Sequence, residues 1–167
     1  MSSDDAAQTV RDTLLALGVD WEEPEPGTFV VVLPGEHKLR TTVSLVLGPH
    51  RLSLNAFVIR APEENAEQVW RWLLQQNARH PGLAFGVDSV GDVYLVADLP
   101  RAAVSAEELD LVLGRVLAAA DGAFDTLLEL GFAAAIRREW AWRRARGEST
   151  ANLEAFRHLD PAGGNVP

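Results

Sequence analysis

The chain has no cysteine, one methionine, one tyrosine and a single lysine in 167 residues. Without cysteine there is no disulfide, no thiolate nucleophile and no Cys-based zinc site, and a cytoplasmic location is expected. No apolar run reaches the 18 or so residues of a membrane-spanning helix. The start carries Asp4-Asp5 where a signal peptide would be basic. Basic groups are also in deficit: the net charge is −9. A body of that sign does not neutralise a phosphate backbone, so nucleic acid is not an expected partner. Catalytic signatures are missing as well. His37, His50, His80 and His158 are scattered, and none pairs with another at i+3 or i+4. There is no G-x-S-x-G elbow and no glycine-rich phosphate cradle. Neither a cofactor, a metal nor an enzymatic reaction is expected.

The acidity is unevenly placed. Residues 1–60 hold five basic and eight acidic groups, and residues 61–131 hold four and twelve. Residues 132–167 hold six and four, so only the C-terminal part is positive. Among the fifteen basic residues all but Lys38 are arginine.

What the sequence does have is one dominant amphipathic stretch, Ser105 to Gly131. Leu109, Val112, Leu113, Val116, Leu117, Ala120, Ala123, Phe124, Leu127 and Leu128 recur at the helical period for about seven turns. Ser105, followed three residues later by Glu108, has the capping-box spacing. Gly131 is expected to close this helix in the left-handed conformation. A band that wide needs a sheet to lie on, and the preceding residues supply one. Residues 4–18 read as a first helix, with Val10, Leu14 and Leu17 on one face. Residues 20–27, with four acids and two prolines, read as a loop in which Trp21 lids the core. Phe29 to Leu33, Leu39 to Leu47 and Arg51 to Arg60 read as an antiparallel meander, the last two alternating with period two. Pro62 is expected to open a second helix with Ala66, Val69, Trp70, Leu73, Leu74 and Asn77 inward. Leu83 to Val87 and Val93 to Ala97 form a second hairpin. After Gly131 a narrower stripe, Phe132, Ala133, Ile136 and Trp140, continues as a further helix to about Arg146. Residues 1–147 are thus one domain and 148–167 a tail, with one turn around Leu153 to Phe156 and a disordered Ala-Gly-Gly-Asn-Val-Pro end.

Several polar positions invite a functional reading. Asp88 and Asp92 flank a turn and are read as turn-forming residues, not as a cation site. Asn77, on an inner face near a helix end, is expected to bond backbone groups of the turn leading to Leu83. Gly114, Ala118 and Gly122, with Leu111 beside them, lie four apart on the long helix away from its apolar band. They form either a seam between two copies of the chain or a row of solvent-facing small residues. Arg137, Arg138, Arg143, Arg144 and Arg146 share the last helix with Trp142. Such a face either folds back on the acidic body or binds an acidic peptide, phosphates or an anionic membrane. Trp72 and Trp142 both lie off their apolar stripes. With Arg137, Arg138 and Arg144 they are candidates for a partner surface.

The order helix, three strands, helix, two strands, long helix resembles the type III secretion chaperone-like fold. The local wording is similar to the YbjN family: Thr42-Val43-Ser44-Leu45-Val46-Leu47-Gly48, Ala56-Phe57-Val58-Ile59-Arg60, Trp72-Leu73-Leu74-Gln75-Gln76-Asn77, Gly91-Asp92-Val93-Tyr94-Leu95, Glu108-Leu109-Asp110 and Leu130-Gly131-Phe132. This match spans about residues 5–146, and the segment Ile136 to Trp142 resembles an actinobacterial branch of that family. The resemblance implies an α+β fold, mainly antiparallel, with an extra C-terminal helix. It also implies a sensory-regulator label without a defined reaction. By analogy with secretion chaperones, it implies a small acidic homodimer that holds a segment of another protein. The alternatives are a domain that senses a small ligand between sheet and helices, and an enzyme with a site built from distant residues.

Overall fold

The computed structural model describes residues 3–163. Helix α1 (Ser3–Leu17) is followed by strands β1 (Asp20–Glu25), β2 (Thr28–Pro34), β3 (Arg40–Leu47) and β4 (Arg51–Ile59). Helix α2 (Ala66–Asn77), strands β5 (Ala84–Val87) and β6 (Val93–Pro100), and the 41-residue α3 (Ala106–Arg146) complete the main body. A 3₁₀ segment over Ala151–Leu159 follows. The fold is α+β, and its six strands run in the order β1-β2-β3-β4-β6-β5. Every neighbouring pair is antiparallel, so the sheet is not mixed.

The period-two strands behave as their pattern requires. Thr41, Val43 and Leu45 of β3 and Leu52, Leu54, Ala56 and Val58 of β4 are buried under α3, while Ser53 and Asn55 face outward. The long helix lays Leu109, Val112, Leu113, Val116, Ala120, Ala123 and Leu127 on this layer. Its start is capped as its sequence predicts, Ser105 Oγ accepting from the Glu108 amide at 3.2 Å.

Four expectations are corrected. The acidic stretch after α1 is not a loop: it is edge strand β1, paired to β2 through Asp20↔Val32 to Glu25↔Thr28 with an irregularity after Glu22. Pro24 is tolerated because an edge strand needs no outward donor. Arg11 of α1 grips the Glu23 carboxylate with two bonds, at 2.7 and 2.8 Å, and the Gly27 amide adds a third at 2.9 Å. That set, led by the Arg11 bond, pulls the Glu23 pKa down to about 2. Trp21 packs half-buried against Phe29, with ring centroids 6.2 Å apart. Second, α2 begins at Ala66, not Pro62. Third, Leu74 is 70% exposed and does not belong to the inner face of α2.

The fourth correction explains the second. Gly131 does not adopt a left-handed conformation. The helix breaks at the next residue, Phe132 (φ −142°, ψ 20°), and resumes. The segment before α2 seals the break. The amides of Glu63 and Glu64 donate to the Gly131 carbonyl at 3.0 and 3.2 Å, and Asn65 Nδ2 donates to the Leu130 carbonyl at 3.1 Å. The Glu64 carboxylate accepts from the Ala134 amide at 2.7 Å. Orphan groups on both sides of the interruption are therefore satisfied. Gly131 is required by proximity: a Cβ there would stand 2.8 Å from Pro62 Cβ.

Beyond the break, Ile136 and Trp140 form a second small core with Leu153 and Phe156 of the 3₁₀ segment. Trp140 Nε1 donates to the Phe156 carbonyl at 3.2 Å. Part of the expected disordered end, residues 164–167, lies outside the described residues.

Two polar contacts fix the remaining loops. Asn77 bonds one strand residue beyond the expected turn. Its Nδ2 donates to the Phe85 carbonyl at 3.1 Å and its Oδ1 accepts from the Phe85 amide at 2.7 Å. The amide thus occupies the free edge of β5 as a neighbouring strand would. The β2–β3 loop is tied to α3: Asp121 Oδ1 accepts from the amides of His37 and Lys38, both at 2.9 Å, and His37 Nδ1 meets Asp125 Oδ2 at 2.6 Å. Gly35 lies against Asp121 and the Lys38 carbonyl with no room for a Cβ.

Two measurements follow. Asn77→Ala leaves both Phe85 backbone groups unpaired, at about 1–3 kcal/mol. At about 2–4 °C per kcal/mol for a chain this size, thermal denaturation should show Tm lowered by several degrees; an unchanged Tm refutes the edge-capping role. The bond from Asp125 raises the His37 pKa above the ordinary imidazole value, with the charges of Asp125, Asp121 and Glu36 adding to it. A raised folded-state pKa contributes stability that is complete below about pH 6.5 and is lost as pH rises through the folded value. NMR titration of His37 should give that raised value, and Asp125→Asn should return it toward 6.5. Protection of the residue 35–39 amides should fall across the same interval in the parent protein. A His37 that titrates at the ordinary value overturns the tie.

A candidate binding groove

The β3–β4 ladder ends at Val43↔Ala56, but β4 continues to Ile59 paired only to β6. A register irregularity between Phe57 and Ile59 turns both Val58 and Ile59 inward. Where the two strands part, α3 crosses with Phe124 and Leu128 before its break and Phe132, Ala135 and Ile136 after it. Leu153 of the C-terminal segment joins the lining. The result is an open, mainly apolar groove of about 490 Å³, within the size range of ligand sites.

Three charged side chains reach this apolar lining, Lys38, Arg60 and Glu139. The Lys38 ammonium sits between two rings, 5.6 Å from the Phe57 centroid and 5.4 Å from that of Phe124. The Arg60 guanidinium lies 4.7 Å from the Phe132 centroid. Both are cation–π distances. Arg60 also pairs with Glu63 at 2.6 Å, and Glu139 with Arg143 at 2.6 Å. Lys38 makes no ion pair with a carboxylate among the described residues, and partial burial alone lowers its pKa. The groove is thus a place where an acidic protein offers a cation among aromatic rings.

The candidates read from the sequence lie elsewhere. Trp72 is half-buried and packs against Phe85, with ring centroids 6.3 Å apart. It lines a cleft of about 170 Å³ between α2 and α3, together with His80, Ala118 and Gly122. One candidate for the partner surface and two candidates for the seam therefore line the same cleft. Leu111 and Gly114 are exposed on the same helix, and a Cβ at Gly114 or Gly122 would meet open space. Trp142, 45% exposed, lies on the other side of the helix break, with Arg146 over its ring at 4.7 Å. Trp72 and Trp142 do not converge. Arg137 and Arg138 are exposed; Arg138 reaches Glu63 at 3.4 Å, and Arg144 pairs with Asp160. The basic face is thus partly turned back on the chain's own carboxylates. Asp88 satisfies local amides, its Oδ1 taking those of Val90 and Asp92, whereas Asp92 reaches out of the turn, its Oδ1 taking the amide of Ala61, 31 residues away in sequence. No cluster of three potential metal ligands occurs among the described residues.

Lys38, Phe57, Arg60, Phe124 and Phe132 escaped the sequence reading. A signal was present: Lys38 is the one lysine in an arginine-rich chain, and Phe57 is an aromatic residue on the outward side of an alternating strand.

Comparison with known proteins supports the architecture. Among solved structures, a chain of the ExsC–ExsE complex superposes with TM-score 0.56 at 21% identity, covering 75% of this chain and 95% of that one. The Yersinia pestis type III secretion chaperone SycH, in complex with a fragment of YscM2, gives 0.52 at 19% identity, covering 69% and 96%. YbjN from E. coli gives 0.53 at 14% identity, covering 70% and 89%. In sequence, a Mycobacterium tuberculosis (strain ATCC 25618 / H37Rv) protein is 49% identical over 144 residues, which is 84% of this chain and 79% of the relative. A Mycobacterium leprae (strain TN) protein is 50% identical over 131 residues, covering 78% and 71%. The model of the YbjN family, described as "Putative bacterial sensory transduction regulator", matches residues 6–129. With that match over most of its length, and a helix-on-sheet body of the same architecture, this chain belongs to the YbjN family.

Proposed function

We propose that the chain is a non-enzymatic, chaperone-like regulatory module of the cytoplasm that holds a segment of another protein in the groove between β4 and α3. The observation that carries this reading is the groove itself. It is open and lined by aromatic and aliphatic side chains, the chemistry of a surface that receives apolar side chains. Two fold relatives, ExsC with ExsE and SycH with YscM2, are complexes with another protein, which adds weight by analogy. A second reading, a sensor of a small ligand, draws on the same groove, because its volume and few polar groups also suit a small molecule.

A photo-reactive phenylalanine analogue at Phe57, on the groove rim, separates the two. In the native host it should cross-link to one defined segment of one protein, mapped by mass spectrometry. The same analogue at Leu15, 73% exposed on α1, should not. Protein cross-links that are equal at both positions overturn the reading.

We further propose that two copies meet along Leu111, Gly114, Ala118 and Gly122, whose small side chains permit close helix approach. The exposed basic face with Trp142, Arg137, Arg138 and Arg144, and Trp72 at the α2–α3 cleft, would then serve as secondary contacts. Gly114→Arg points into open space, so it should leave the fold intact. Light scattering should show a dimer in the parent and a monomer in the variant. The same mass for both removes the seam.

A further inference from the structure

We propose that the segment held in the groove carries a carboxylate among apolar side chains, and that Lys38 is the residue that recognises it. This rests on the groove-holding reading above and narrows it to a partner chemistry. The argument is one of charge complementarity. Lys38 stands half-buried between Phe57 and Phe124, so its ammonium has given up part of its water. Rings replace that water only partly, and a carboxylate replaces it with a charge-assisted hydrogen bond. The chain has twenty-four acidic residues, yet those that hold the lysine's loop or line the groove already have partners. Asp121 accepts the two loop amides, Asp125 holds His37, and Glu139 holds Arg143. Arg60, the other cation of the groove, is held by Glu63. Lys38 is left as the groove's cation with rings on two sides and no ion pair with a carboxylate among the described residues. The acidic body around it repels acidic segments, and in this groove a cation stands within an apolar and aromatic lining, so an acidic residue flanked by apolar ones meets attraction there.

The single lysine makes the test direct, because selective lysine labelling gives one side-chain NMR signal to follow. A library of short random peptides is selected on the full-length protein, and the enriched peptides are synthesised. Selection should yield peptides with Asp or Glu between apolar residues, and their binding should move the Lys38 signal. Replacing the peptide's Glu by Gln should weaken binding about tenfold or more to the parent, as for loss of a charge-assisted bond. That replacement should make no difference to Lys38→Met, and Lys38→Arg should retain the preference. Enrichment of purely apolar peptides that bind the groove overturns the acidic partner and leaves the groove reading standing. If no peptide is enriched, or the bound peptides leave the Lys38 signal in place, both fall. Decanoate moving that signal when no peptide does assigns the groove to a free amphiphile. A dimer whose formation moves it assigns the groove to a second copy. Either result overturns the proposal.

Discussion

The structure turns on an interruption: the break of α3 at Gly131–Phe132, sealed by Pro62 to Asn65. A straight helix of 41 residues would run about 60 Å, well past the end of the sheet. The break redirects it, and its second half gathers Leu153 and Phe156 into a core of its own. Such a break exposes backbone donors and acceptors that must find partners. Four of the bonds that supply them come from one short stretch, which explains why α2 starts at Ala66 and not at the proline that looks like its opening. Glu64 in this arrangement acts as an N-terminal cap for the helix that resumes, from seventy residues away in sequence. The groove follows from the same geometry, since Phe124 and Leu128 belong to one half of α3 and Phe132, Ala135 and Ile136 to the other.

The sheet explains why a partner would use the groove and not a strand edge. An open edge recruits strands unless something blocks it. At one end β1 carries Glu22, Glu23, Pro24 and Glu25 and loses register after Glu22. At the other, the Asn77 amide takes both outward-facing backbone groups of Phe85. The outer face of the sheet is mixed, with Ser44, Ser53 and Asn55 among Val46, Phe57 and Val96. The groove is a concave surface in which aromatic rings and two cations converge, and concavity is what lets a bound side chain lose most of its water.

Much of this was legible in the sequence, and the pattern of successes has a physical basis. The alternation of β3 and β4 and the band on α3 are local periodicities, set by which face is buried. The cap at Ser105 is a matter of three residues. Edge strand β1 was hidden because an edge needs neither alternation nor an absence of proline, and its acids were chosen for the surface. Gly131 was identified as a break, but its reason was not local: Pro62 presses against it. The groove was legible only as a class of place, a hollow between sheet and helices. Its residues come from a loop, the end of β4, both halves of α3 and the C-terminal segment, and no single window of sequence contains them.

The position of Lys38 depends on the face of α3 that its loop touches. Asp121, Phe124, Asp125 and Leu128 are spaced by three and four, so they form one neighbourhood on the helix surface. Asp121 and Asp125 hold the loop through two amides and the His37 ring, while Phe124 and Leu128 line the groove beside it. The carboxylates that could have neutralised the lysine are therefore the ones that position it. Committing them to backbone amides and to a histidine keeps the ammonium beside its rings and available to an incoming carboxylate. Loop geometry and the proposed ligand preference are consequently one feature, carried by two aspartates one helical turn apart.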